Sequence, residues 1–205
     1  MSILIGLLAS VTYGIQDFIG GVVSRRNHVL TVVAWGQMAG VLFAAAGVPL
    51  LTDGPPSAAA LSLGGAAGVA GMFGAALLYR GLARGRMSVV APVTALLAAS
   101  VPVLIGLISG ERPTNLGVAG LVVALAAIAL VSTAPEPGMP PRREGSLVAR
   151  MIRAAIPEAV GAGLLFAGFF LLLDGVEDDA GLWPLVGARA AALVVVGIIL
   201  AVTGV

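Results

Sequence analysis

Cysteine is absent from the 205 residues, and all eleven basic residues are arginines. Without cysteine the chain has no disulfide framework, no thiolate nucleophile and no sulfur-ligated metal site. The single histidine, His28, lies in a short stretch beside Arg25 and Arg26, where a solvated side chain is the expected state. Charged residues make up only 10% of the chain, against roughly 25% in an ordinary soluble domain. No basic segment interleaves with aromatics, which argues against nucleic acid as a partner. No phosphate-binding GxxxxGK[ST] loop, no HExxH and no GxSxG is present. Nucleotide-driven chemistry and the common hydrolase classes are therefore not expected, nor is a catalytic residue, a metal or a cofactor.

Apolar side chains are abundant: 59% of the residues, with a mean hydropathy of +1.08. They fall into runs at Ile3–Val22, Val29–Leu51, Ala59–Tyr79, Val89–Ser109, Leu116–Ser132, Ile156–Leu173 and Leu182–Val202. Each is close to the roughly 20 residues that cross a bilayer core. Backbone groups cannot stay unpaired in lipid, so the runs are predicted to be helices. The expected fold is all-α: a polytopic helical membrane protein with about seven transmembrane helices and the lipid bilayer as its first partner. The opening run carries Gln16 and Asp17 and has no basic segment before it, so it reads as a retained helix and not a signal peptide. Arg80, Arg84 and Arg86 are expected in the turn after the third run. The stretch 134–155 is rich in Pro and Arg and reads as a linker.

Small residues recur at spacings of four: Gly64 with Gly68, Gly36 with Gly40, Gly106 with Gly110. For each of these glycines the expected role is close helix packing. Pro92 and Pro102 interrupt the fourth run, with Thr94 and Ser100 between them, small polar groups suited to lining a path or bonding a neighbouring helix.

Polar residues inside the runs are the candidates for function. Asp17 is the sharpest, because a carboxyl within a span is costly and tends to face a cavity or a partner. Tyr13 lies one turn before it, and Gln16 adjoins it; with Gln37 they are expected to line one polar cavity. The competing position for Asp17 is the headgroup boundary near Arg25 and Arg26. Arg189 has two readings: a hold on an anionic substrate group or a pairing with Asp17 or Glu158, or else snorkelling to the interface. Glu158, just after Pro157, fits an acid in the first turn of its helix.

The order Tyr79, Arg80, Ala83, a small-residue turn, Pro92, a helix closing on Gly110-Glu111-Arg112, and a Gly-rich helix from Gly117 and Gly120 resembles the EamA family of the drug/metabolite transporter superfamily. TYGIQDFIGG near the start is similar to the first helix of its bacterial members. The resemblance implies five-helix repeats, here residues 1–133 as one full unit and 156–205 as the first two helices of an inverted second, joined by the linker 134–155. It implies family-motif roles for Arg80, Gly110 and Glu111. The pathway candidates are Tyr13, Gln16, Asp17, Gln37, Pro92, Thr94 and Arg189. The family often has an arginine near the position of Arg189 in the second helix of a repeat; the first repeat here has Gln37 close to the aligned place. Placing Gly47 over Gly197 brings Leu50 over Leu200 and Gly54 over Gly204.

The function expected from these readings is carriage of a small metabolite by alternating access in a bacterial cytoplasmic membrane. The alternative is a truncated, non-transporting module or a subunit that needs a partner, with homo-oligomerisation as one route to completion. On the repeat reading, counterparts of the third to fifth helices are expected to be missing. The arginine-rich turns are predicted to be cytoplasmic, which puts the N-terminus outside.

Overall fold

The computed structural model describes residues 2–52, 54–85, 87–133, 147–177 and 179–204. Residues 134–146 of the expected linker, together with Asp53, Arg86 and Asp178, lie outside the described residues. Among the described residues the regular structure is entirely α-helical: α1 (Ser2–Val23), α2 (Val29–Leu51), α3 (Ala58–Arg84), α4 (Met87–Ile108), α5 (Asn115–Thr133), α6 (Leu147–Asp174) and α7 (Trp183–Thr203). Six of them are long and apolar enough to cross a membrane, and α5 is apolar over Asn115–Ile128. The chain is a polytopic helical membrane protein.

The boundaries follow local chemistry. Ser57 caps α3, its hydroxyl accepting from the Ala60 N–H at 3.0 Å, which satisfies one of the unpaired amides of the first turn. At the end of α4, Gly110 takes φ +96°. Its N–H donates to the Leu107 carbonyl and that of Glu111 to the Gly106 carbonyl, the paired bonds of a Schellman ending. Two boundaries differ from expectation. Helix α3 continues through the buried Gly81 and stops only at Gly85, so Arg80 and Arg84 sit on the helix, not in a turn. And α6 begins at Leu147 and passes through Pro157. Glu158 is therefore well inside a helix and is not the first-turn acid it resembled.

The centre of the bundle is α3, which packs against α1, α2, α4, α6 and α7. Lipid supplies little hydrophobic drive between helices, so packing depends on how closely backbones approach. Gly64 and Gly68 face α7: a Cβ at Gly64 would run into the Pro184 carbonyl, and one at Gly68 into the Ala188 carbonyl. One and two turns further along, Gly71 and Gly74 receive the rings of Phe169 and Phe166 from α6. Ala67, Met72, Leu78 and Leu82 complete the buried face of α3, each at most 2% exposed. The other paired glycines do something else. Gly36 has nothing near it, Gly106 lies under the Glu111 carboxylate, and Gly110 serves the turn.

Helices α2 and α7 run antiparallel. Gln37 of α2 meets Arg189 of α7, Gly47 meets Leu182, and the Thr52 hydroxyl accepts from the Leu182 N–H at 2.9 Å. The Trp183 indole then donates to the Gly54 carbonyl at 3.1 Å. By contrast α1 meets the bundle through its C-terminal part, where Gln16 reaches Tyr79 and Gly20 and Gly21 pack on Tyr79, Leu82 and Met87. Residues 4–16 of α1 are exposed throughout.

Candidate functional site

Five polar side chains from four helices gather where α3 separates α1 from α7. Tyr79 is the centre. The hydroxyl end of its ring packs on Gly20, where a Cβ would come within 2.6 Å of Cε1, and the residue is only 6% exposed. A buried phenol needs a partner for its hydroxyl. Here the Gln16 amide donates to that oxygen at 3.4 Å, and the hydroxyl lies within electrostatic reach of both Asp17 and Arg189.

The second feature is Arg189. Its stem crosses α2 at Gly40, where a Cβ would sit 2.8 Å from Cδ and 3.0 Å from Nε. Beyond this passage Nη1 donates to the Gln37 amide oxygen at 3.1 Å. Gln37 is 6% exposed and lies eight residues into α2, roughly 12 Å along its axis at 1.5 Å per residue. The side chain of Arg189 is therefore directed across the helix pair towards the middle of α2 and does not snorkel. Neither expected pairing of Arg189 forms: both ion pairs among the described residues belong to Glu158, with Arg80 Nε at 3.4 Å and Arg84 Nη1 at 3.9 Å.

The remaining candidates are placed as follows. Gln16 and half-buried Asp17 join the cluster, whereas Tyr13, 51% exposed, faces away from the protein. Thr94 is buried and donates to the Ala159 carbonyl of α6 at 3.1 Å, a helix–helix tie. Pro92 is buried in α4. Arg80 is spent on Glu158 across α3 and α6. Gly110 and Glu111 form the end of α4; beside them an open groove is lined by Val103, Leu107, Glu111, Arg112 and Pro113, none of which belongs to the cluster. Tyr79 itself was the residue that sequence reasoning left out of the site. The available signal was a phenol inside an apolar run with one turn of helix still to follow.

Among the described residues no group of three or more histidines or carboxylates could hold a metal ion. Chemically the cluster offers a guanidinium, a carboxyl, a phenol and two amides inside the span of an apolar bundle. That is a set of groups able to bind a polar solute.

Residues 1–133, which cover α1 to α5, match the model of the EamA-like transporter family. No curated protein and no solved structure matches the chain.

Proposed function

Since the chain belongs to the EamA-like transporter family, we propose that it carries a small metabolite across the bacterial cytoplasmic membrane by alternating access, with Gln16, Asp17, Tyr79, Gln37 and Arg189 lining the path. The observation that carries this reading is the Arg189–Gln37 bond inside the helix pair α2–α7. Ionisable groups within spans are costly and mark substrate and ion routes. We read residues 1–133 as one repeat, 134–155 as linker and 156–205 as the start of a second, inverted one. The antiparallel crossing of α2 and α7 supports that division, because helices related by a two-fold axis in the membrane plane must run in opposite senses. Sites in such carriers lie at the repeat interface near the midplane, and Gly40, where the two helices cross, is the middle residue of α2.

The test is solute flux by the purified chain in proteoliposomes, with a metabolite pool loaded inside and efflux followed by mass spectrometry. Saturable efflux that falls on Arg189→Gln supports the reading; a chain that moves nothing above empty liposomes overturns it.

One observation favours a second reading, a subunit that needs a partner. Helix α1 leaves Tyr13 51% exposed on an uncovered face, and polar groups on a lipid-facing helix are satisfied when another helix covers them. Flux that appears only in a dimeric or mixed preparation would favour it.

A further inference from the structure

We propose that Arg189 is the anchor of a binding site for a small monocarboxylate, the guanidinium donors not engaged by Gln37 holding the substrate's carboxylate. This rests on the reading of the polar cluster as the substrate path and gives that path a substrate class.

The argument starts from donors and charge. A guanidinium presents five N–H donors in a rigid planar fork. Gln37 engages Nη1, and among the described residues no carboxylate lies within 4.0 Å of Arg189, both ion pairs going to Glu158. An amide oxygen satisfies a donor but neutralises no charge. The protein thus keeps a half-buried cation in α7 whose partner is a neutral side chain. The nearby carboxyl, Asp17, is reached through Tyr79 and not by direct contact.

The geometry says which group is complementary. With Nη1 taken by Gln37, the Nε–Nη2 edge remains. Glycine at position 40 lets the arginine stem cross α2, since a side chain there would press on Cδ and Nε. Two parallel N–H donors match the two oxygens of a carboxylate, an arrangement that an ammonium cannot supply. Tyr79 accepts from Gln16 and retains its own proton to donate. Asp17 adds acceptor oxygens on the α1 side of Tyr79, so a second negative group on the substrate would be turned against a carboxyl. One carboxylate fits; a dianion does not.

The experiment uses the full chain in lipid nanodiscs and measures equilibrium binding of radiolabelled acetate, lactate and benzoate. Competitors are the three corresponding amides, succinate and inorganic phosphate. We expect saturable binding of at least one monocarboxylate, with its amide, succinate and phosphate each at least tenfold weaker. Arg189→Gln should weaken binding tenfold or more. Gln37→Glu supplies an internal carboxylate beside Arg189 and should abolish binding while the folded chain stays as stable as the parent or more so, an outcome that a purely structural Arg189 would not produce. No saturable carboxylate binding, equal competition by the amide or by phosphate, or unchanged binding in Gln37→Glu would each overturn the proposal. Flux on the same preparation keeps the two readings apart. A chain that transports solutes regardless of charge retains the transport reading and loses the carboxylate; one that binds the carboxylate and moves nothing does the reverse.

Discussion

Gly68 of α3 and Ala188 of α7 approach so closely that a Cβ on the glycine would overlap the alanine carbonyl. Gly64 meets Pro184 in the same way one turn earlier. These contacts fix where α7 sits, and Arg189 is the next residue along. The small-residue face of α3 is therefore more than packing: it sets the position from which the guanidinium reaches α2.

Gly68→Ala should accordingly destabilise the fold, because the obstacle is backbone and cannot rotate away. Overpacking of this kind costs about 1–3 kcal/mol. Gly36→Ala is the control. Nothing lies near its Cβ position, and replacing a mid-helix glycine gains roughly 0.5–1 kcal/mol. Reversible unfolding in detergent by added SDS reads both; equal behaviour of the two variants would contradict the close α3–α7 contact.

Thr94→Val tests whether Thr94 ties helices or lines the path. The lost bond to Ala159 should lower stability by about 1 kcal/mol, in the range measured for interhelical hydrogen bonds in membranes. Substrate affinity should stay within twofold, because the hydroxyl is already engaged with α6. A large loss of affinity at normal stability would return Thr94 to the pathway.

Asp17→Asn should insert and fold normally, since it removes a half-buried carboxyl that makes no ion pair among the described residues. We expect changed substrate affinity or a flattened pH dependence of binding, because the amide cannot take up a proton. Unchanged affinity with an unchanged pH profile would put the carboxyl at the headgroup boundary.

Topology follows from the shared ends of the helices. The end of α1, the end of α3 and the Glu158 region of α6 lie together through the Gly21–Leu82, Gly85–Ala155 and Arg80–Glu158 contacts, and arginines concentrate there. By the positive-inside bias this end is predicted to be cytoplasmic. The absence of native cysteine makes labelling clean. Asn27→Cys should resist an impermeant maleimide in intact cells and Glu177→Cys should react; the reverse pattern would invert the assignment.

The sequence by itself determined how many helices there are and most of where they stop. In lipid an unpaired backbone group is so costly that an apolar run of spanning length has no alternative to helix. Both ends of α2 were legible residue by residue, from the arginines before Val29 to the Gly-Pro-Pro stop after Leu51. The start of α6 was not, because Pro157 is a strong local breaker in water and a tolerated one where neighbouring helices cover the freed carbonyl. The glycine pairs were read alike, yet only Gly64 with Gly68 proved to be a helix-packing face. Identical spacing does not say whether another backbone is opposite. The site was legible as a list and not as an arrangement. Gln16, Asp17, Gln37 and Arg189 stood out as polar groups in apolar runs, but Tyr79 was passed over and Tyr13 was drawn in. Only the tertiary structure decided that Arg189 meets Gln37, 152 positions away. That meeting depends on the closeness of two backbones at Gly68 and Ala188 and on the missing side chain at Gly40, and no local propensity along the chain encodes it.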